Sequence, residues 1–133
     1  MTTDRLIINA DGASRHNPGP AAIGATIKDE RGRLLASISR RIGRATNNQA
    51  EYQALIAALE KATAMGARRV DIRLDSELVV KQVQGKYRVK NVALRPLYLK
   101  VGELLGQLED FTISNVPREQ NTEADRLANQ ALQ

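Results

Sequence analysis

The chain has 133 residues, 42% of them hydrophobic and 26% charged, and its formal net charge is +5. This length and composition predict a single folded domain and exclude a disordered protein. The absence of cysteine excludes disulfides and thiolate metal sites, so a bound metal would need oxygen ligands or the single histidine, His16. The start lacks the apolar segment of a secretory leader, and no apolar run reaches membrane-spanning length. We therefore expect a monomeric cytoplasmic protein that has no membrane contact.

The spacing of apolar residues changes along the chain between the two-residue period of strands and the 3.6-residue period of helices. An opening β-hairpin meander is followed by β–α alternation, which predicts an α/β fold with helices packed on one mixed sheet. Segment 17–20 is predicted as a loop, because two prolines and a glycine cannot continue a central strand. Gly66 and Gly85 are predicted to end helices. The predicted strands are 5–11, 21–28, 34–42, 70–75 and 111–116, and the predicted helices are 47–65, 76–84, 94–108 and 122–132.

Basic residues are concentrated in two tracts that contain no acid. Five arginines lie between Arg31 and Ala50, and six basic residues lie between Leu78 and Gly102. Such tracts indicate a polyanionic partner. The alternative is a solvated basic face without a partner.

The first helix contains a carboxylate in an unexpected place. Glu51 lies one turn before Leu55, on the apolar stripe that the helix is predicted to bury. A carboxylate there must be desolvated, paired or bound to a cation. The structural alternative is a capping box, with Asn48 or Thr46 as the cap and Glu51 or Gln49 reaching back to the cap N–H.

Three further carboxylates lie at the ends of predicted elements. Asp11 ends the first strand, Asp75 ends the fourth, and Asp125 lies in the first turn of the last helix, where it shares a face with Ala128. Each has a structural alternative: a turn at Asp11, a helix cap at Asp75, and a capping box that begins at Thr122.

The positions of the four carboxylates favour a shared site over these separate roles. Strand ends and helix starts in a mixed sheet converge on one edge, where ligand crevices usually form. Converging carboxylates repel one another unless cations hold them, and magnesium suits oxygen ligands beside a substrate phosphate. Two ions about 4 Å apart would clamp the attacking water and the leaving oxygen of a phosphodiester displacement.

Five blocks of the sequence form a recurrent series: Asp11-Gly12-Ala13-Ser14 with Asn17-Pro18-Gly19-Pro20, Thr46-Asn47-Asn48-Gln49-Ala50-Glu51, Asp75-Ser76 with Leu78-Val79, Lys90-Asn91-Val92, and Asn121 with Ala124-Asp125-Arg126-Leu127-Ala128. By these blocks the chain resembles a type 1 ribonuclease H over essentially its whole length. The resemblance implies a ribonuclease H-like fold, with a five-stranded mixed sheet of order 3-2-1-4-5, and it makes Asp11, Glu51, Asp75 and Asp125 the catalytic metal-binding set. It also implies an endonuclease that uses magnesium or manganese to cleave the RNA strand of RNA–DNA hybrids, leaving 5′-phosphate and 3′-hydroxyl ends.

The same resemblance implies a set of substrate contacts. One group, whose side chains can all donate to phosphate oxygens, matches the family's pocket for a DNA-strand phosphate. Two further side chains match residues near the minor groove. The backbone of two others would approach the RNA 2′-hydroxyls, which DNA lacks. The phosphate-pocket group is Asn17, Arg44 and Thr46. The side chains near the minor groove are Asn47 and Gln49, and the backbone segment is that of Gly12 and Ala13.

The sequence departs from the family pattern in two places. Many members have a basic handle at a position where this chain has only residues 84–88 or so, and the chain has no tryptophan. Weaker binding or an altered substrate range is expected. The loop before Asp125 lacks the histidine that the family uses in product release, and Arg118 and Glu119 are the candidates to replace it. His16 lies in a different loop and is expected to be a surface residue.

Two alternatives stay open at this level. A nucleic-acid-binding module with this fold but without turnover would have lost carboxylates, whereas all four are present. The chain could instead be one module of a larger polypeptide. Whether duplex RNA is cleaved as well as hybrid is left open by the residues.

Overall fold

The computed structural model describes residues 5–133, so the sequence-based expectation about residues 1–4 lies outside the described residues. A five-stranded sheet has the order β3-β2-β1-β4-β5, with β1, β2 and β3 antiparallel and β1, β4 and β5 parallel. This confirms the predicted α/β class and strand order. In chain order the elements are β1 (Arg5–Ser14), β2 (Gly19–Lys28), β3 (Leu34–Ala45), α1 (Asn47–Ala64), β4 (Arg69–Leu74), α2 (Glu77–Val83), α3 (Arg95–Leu105), β5 (Asp110–Asn115), a 3-10 turn (Arg118–Gln120) and α4 (Thr122–Ala131).

The first hairpin is longer than predicted at both strands. β1 continues past Asp11 to Ser14, and β2 begins at Gly19, inside the predicted loop. The prediction failed because Pro20 lies at the end of the β1–β2 ladder, where its missing N–H costs only one terminal bond. Its carbonyl accepts from the N–H of Arg15 at 2.9 Å, so its nitrogen also faces Arg15, beyond the last β1–β2 pair of Ser14 and Ala21.

Helix α1 packs its predicted stripe against β1 and β2, and Tyr52, Leu55 and Leu59 are buried. Gly66, with φ of 90°, follows its last turn, as predicted, because L side chains rarely adopt that backbone conformation. No helix among residues 5–133 is long and apolar enough to cross a membrane.

Two glycines let the helices approach the sheet from opposite faces. A Cβ on Gly12 would lie 2.2 Å from the carbonyl carbon of Ala50 in α1. A Cβ on Gly24 would lie 2.2 Å from the carbonyl oxygen of Ala124 and 2.5 Å from the nitrogen of Ala128, both in α4. Because these neighbours are helix backbone, any side chain would push the helices, with their carboxylates, away from the sheet.

We predict that Gly24→Ala lowers the free energy of unfolding by about 1–3 kcal/mol, since α4 must shift to admit the methyl group. Gly102→Ala is the matched control, because Gly102 lies within α3 and an added Cβ would meet nothing within 4 Å. It should instead stabilise the protein by about 0.5–1 kcal/mol through helix propensity. Urea unfolding of the two variants measures both effects, and changes of the same sign would contradict the packing argument.

Candidate active site

The four predicted carboxylates come together where β4 ends. The parallel β1–β4 ladder closes at the pair Ala10 and Leu74, so Asp11 and Asp75 follow it at the same edge of the sheet. Asp11, Glu51 and Asp75 each offer a carboxylate oxygen, and these atoms lie within 4.8 Å of one another. Asp125 joins them from α4 and lines the same cavity, which has a volume of about 360 Å³.

The structural alternatives for these carboxylates are excluded. Thr46 and Gln49 form the capping box of α1, so Glu51 does not cap it. Ser76, not Asp75, caps α2 by accepting from the N–H of Val79 at 3.3 Å. Helix α4 begins without a side-chain cap, which excludes the alternative of a capping box that begins at Thr122. Asp11 lies within β1 rather than in a turn.

Glu51 shows that the cluster suits a cation. Its Oε1 accepts from the backbone N–H of Gly12 at 3.2 Å. Its Oε2 is buried and has no hydrogen-bond donor among the described residues. A buried carboxylate oxygen without a donor is costly, and either a shared proton or a bound cation would satisfy it. Three close carboxylates form the hard oxygen-ligand set that magnesium and manganese prefer.

Without a cation, the cluster retains protons. Burial raises the pKa of Asp11 to about 10, and hydrogen bonding with Glu51 and the charges of Glu51 and Asp75 act in the same direction. Burial also raises the pKa of Glu51, although hydrogen bonds from Asp11 and the Gly12 N–H oppose the shift. The pair therefore holds a proton at neutral pH, and a divalent ion must displace it.

This pKa shift predicts how stability depends on pH in the presence of a chelator. A folded-state pKa above the unfolded value of 3.8 means that folding favours the protonated form of Asp11. Its contribution to stability is complete below about pH 4 and is lost as the pH rises toward 10. Asp11→Asn should therefore melt at a higher temperature than wild type at pH 8 in EDTA, with the difference shrinking toward pH 4. A variant that melts below wild type at pH 8 would contradict the shift.

Three predicted contact residues line the cavity itself: Gly12, Ala13 and Asn47. The Oδ1 of Asn47 accepts from the N–H of Ser14 at 3.1 Å. Its own backbone N–H donates to Oδ1 of Asn17 at 3.1 Å. These bonds tie the start of α1 to the β1–β2 connection, so this wall of the cavity has a defined shape.

The remaining predicted contacts lie beside this wall. Arg44 is exposed and pairs with Pro20 near the end of the β2–β3 ladder. Thr46 Oγ1 accepts from the N–H of Gln49 at 3.1 Å, and Gln49 Oε1 accepts from the N–H of Thr46 at 2.8 Å. These bonds use acceptor atoms, so the hydroxyl hydrogen of Thr46 and the side-chain amide hydrogens of Gln49 remain able to donate to a phosphate or a base.

The two candidates for product release are separated by the structure. Arg118 lines the carboxylate cavity, and its Nη2 lies 3.7 Å from Oδ1 of Asp125. Glu119 instead lines a second pocket with Asn9 and Thr26, and none of the four carboxylates lines that pocket. Only Arg118 therefore has direct access to the carboxylates. His16 is exposed, as expected.

Two asparagines contact the carboxylates without having been predicted as site residues. Asn129 Nδ2 donates to Oδ1 of Asp125 at 3.2 Å, and Asn121 Nδ2 donates to Oδ1 of Asp75 at 3.2 Å. The first could have been found from its spacing of four residues along a helix. The second joins residues 46 positions apart. No local pattern indicates such a contact.

The fold and this site define an α/β protein with an acidic, cation-binding centre, and comparisons narrow that class. A family model described as reverse transcriptase-like matches residues 9–131. The ribonuclease H domain of a Mycobacterium tuberculosis protein is 45% identical with a TM-score of 0.94, and the match covers 97% of this chain and 99% of that one. A ribonuclease H1 from Halobacterium salinarum is 48% identical with a TM-score of 0.94, over 96% and 97% of the two chains. LC11 ribonuclease H1, solved in complex with an RNA/DNA hybrid, is 43% identical with a TM-score of 0.91, over 95% of each chain.

The chain belongs to the ribonuclease H family, as the sequence resemblance indicated. Its match spans only part of the length of some relatives. It covers 35% of the bifunctional Mycobacterium tuberculosis protein at 45% identity, and 61% of the Halobacterium salinarum ribonuclease HI at 49% identity.

Proposed function

We propose that residues 1–133 form one ribonuclease H domain that hydrolyses the RNA strand of RNA–DNA hybrids. The products would carry 5′-phosphate and 3′-hydroxyl ends. The observation that carries this proposal is the cluster of Asp11, Glu51 and Asp75, with a buried Glu51 oxygen that no donor in residues 5–133 satisfies. The solved complex of LC11 ribonuclease H1 with a hybrid supports the same substrate.

The four carboxylates would hold two divalent ions, magnesium or manganese, when substrate is bound. Such ions supply an activated water at neutral pH and stabilise negative charge on the phosphate that reacts. The chain's own contribution is to hold the carboxylates close together before the ions arrive. Arg118, which lies beside Asp125, can attract the anionic product end and so assist its departure.

Recognition of the RNA strand follows from how β1 ends. Beyond Ala10 the strand has no partner on its β4 side, so the backbone around Gly12 and Ala13 faces the cavity. The N–H of Gly12 is committed to Glu51. Other polar groups along this backbone can bond to 2′-hydroxyls, which would make cleavage specific for RNA.

Loss of a single carboxylate should abolish turnover. We expect Glu51→Gln to lower the hydrolysis of a labelled RNA–DNA hybrid by several orders of magnitude, because it removes charge that holds the ions. Glu60→Gln is the matched control, since it makes the same change at an exposed position on the same helix. Duplex RNA, duplex DNA and single-stranded RNA should be assayed beside the hybrid with magnesium. Full activity of Glu51→Gln, or no preference for the hybrid in wild type, would refute the proposal.

Arg44 tests whether the DNA strand is held locally. Arg44→Ala should raise KM for the hybrid about tenfold, the effect of losing one charge-assisted contact of about 1.5 kcal/mol, with a smaller change in kcat. Arg40→Ala removes the same charge from the same strand and serves as control. Arg33 is unsuitable as a control, because Asp29 already pairs with it at 2.7 Å. Long-range attraction alone would make the Arg44 and Arg40 variants equivalent, with a difference that vanishes at high salt. That outcome would leave the phosphate pocket unsupported.

A further inference from the structure

Asn121 lies directly behind the carboxylates, where the 3-10 turn meets α4. The residue is only 1% exposed, so its amide must find hydrogen-bond partners inside the protein. Its Nδ2 donates to the carbonyl of Ala10 at 2.9 Å and to Oδ1 of Asp75 at 3.2 Å. Its Oδ1 accepts from Nδ2 of Asn9 at 3.1 Å. Both amide hydrogens and the amide oxygen therefore have partners.

The orientation of this amide is determined by its neighbours. The carbonyl of Ala10 can only accept a hydrogen bond, and Oδ1 of Asp75 lies on the same side, so the NH₂ group of Asn121 must face them. Asn9 is oriented in the same way, because its Nδ2 also lies 3.4 Å from the carbonyl of Gln120. The network thus has one consistent arrangement, which is expected of a group that fixes geometry.

Asn121 connects three segments that carry carboxylates. Ala10 directly precedes Asp11 on β1, and Asp75 directly follows β4. The backbone carbonyl of Asn121 accepts from the N–H of Asp125 at 3.1 Å, which closes the first turn of α4. A single residue is therefore hydrogen-bonded to the segments that carry three of the four carboxylates.

We propose that Asn121 is a positioning residue that holds Asp75 ready to bind a divalent cation. This inference deepens the proposed function and rests on it for the purpose of the cation. Anchoring one carboxylate oxygen fixes the direction of the other, so less rotational freedom is lost when the ion binds. The neutral amide does this without cancelling the negative charge that attracts the ion, as a lysine or arginine in its place would.

Two substitutions separate positioning from packing. Asn121→Asp keeps the shape of the side chain but places an oxygen where the NH₂ group faced Ala10 and Asp75. Asn121→Ala removes the contacts altogether. Asn115→Ala is the matched control, because Nδ2 of Asn115 donates to the carbonyl of Leu74 at 3.2 Å. That bond lies one residue before Asp75 and does not involve its carboxylate.

The primary measurement is magnesium binding to the substrate-free protein by isothermal titration calorimetry. We expect affinity to fall about tenfold or more in both Asn121 variants and to stay unchanged in Asn115→Ala. Melting curves in EDTA give the folded fraction, so binding can be expressed per folded molecule. With the hybrid as substrate, kcat at fixed magnesium should fall and recover in part as magnesium is raised, whereas KM should change less than about twofold.

A folded Asn121→Ala variant that binds magnesium as wild type does would overturn the inference. If that variant does not fold, Asn9→Ala tests the same inference, because it removes the donor to Oδ1 of Asn121 and so loosens the amide that holds Asp75. About threefold weaker magnesium binding is then expected, and unchanged binding would equally overturn the inference. A further outcome distinguishes the two proposals. If the wild-type protein binds magnesium but cleaves no hybrid, and the Asn121 variants bind magnesium more weakly, the positioning role stands and the proposed function is refuted.

Discussion

The site depends on one constraint of the sheet, namely that β4 stops pairing with β1 after Ala10 while β1 continues to Ser14. Parallel strands present their carboxyl ends at the same edge, so this early stop places Asp75 beside Asp11. It also leaves the β4 side of the β1 backbone open to the cavity. Because position 12 is glycine, the start of α1 can lie against this segment and bring Glu51 within reach. Two parts of the site thus follow from where the β1–β4 pairing stops, and the third follows from the glycine at position 12.

Gathering four carboxylates is costly, and the surrounding residues reduce that cost without removing the negative charge. Amide donors meet two of them, Asn121 at Asp75 and Asn129 at Asp125, and Arg118 lies 3.7 Å from Asp125. Glu51 accepts from the N–H of Gly12, but burial outweighs this bond, and the pKa values of Asp11 and Glu51 are both raised. In the absence of a cation, a proton therefore reduces the repulsion between these two carboxylates. The proton leaves when a cation binds, so metal binding is coupled to proton release. Full compensation by basic side chains would stabilise the protein further but weaken its attraction for the ions.

Sequence patterns predicted the elements and the four carboxylates because both leave local signals. The stripe of Tyr52, Leu55 and Leu59 has the helical period, and a misplaced charge such as Glu51 is visible against it. The failures occurred where distant pairing outweighed local preference. Pro20 is tolerated in β2 because its nitrogen faces Arg15 just beyond the last β1–β2 pair, which only the register of the two strands reveals. Asn121 carries no charge, and its partners Ala10 and Asp75 lie 111 and 46 residues away. No period or motif marks such a residue, although the family resemblance included it within a block.

Fewer arginines of the first basic tract are free to bind a polyanion than its composition indicates. Arg33 is paired with Asp29 at 2.7 Å, and Arg41 donates to the carbonyls of Ala131 and Gln133 at the end of α4. Two of the five arginines thus already bond within the protein. Screening limits an exposed charge to about 8–10 Å at physiological salt, so only cations near the substrate strengthen its binding. The total charge of the tract therefore indicates only that the partner is a polyanion. The position of Arg44, beside the wall of the acidic cavity, determines which phosphate of that partner it can reach.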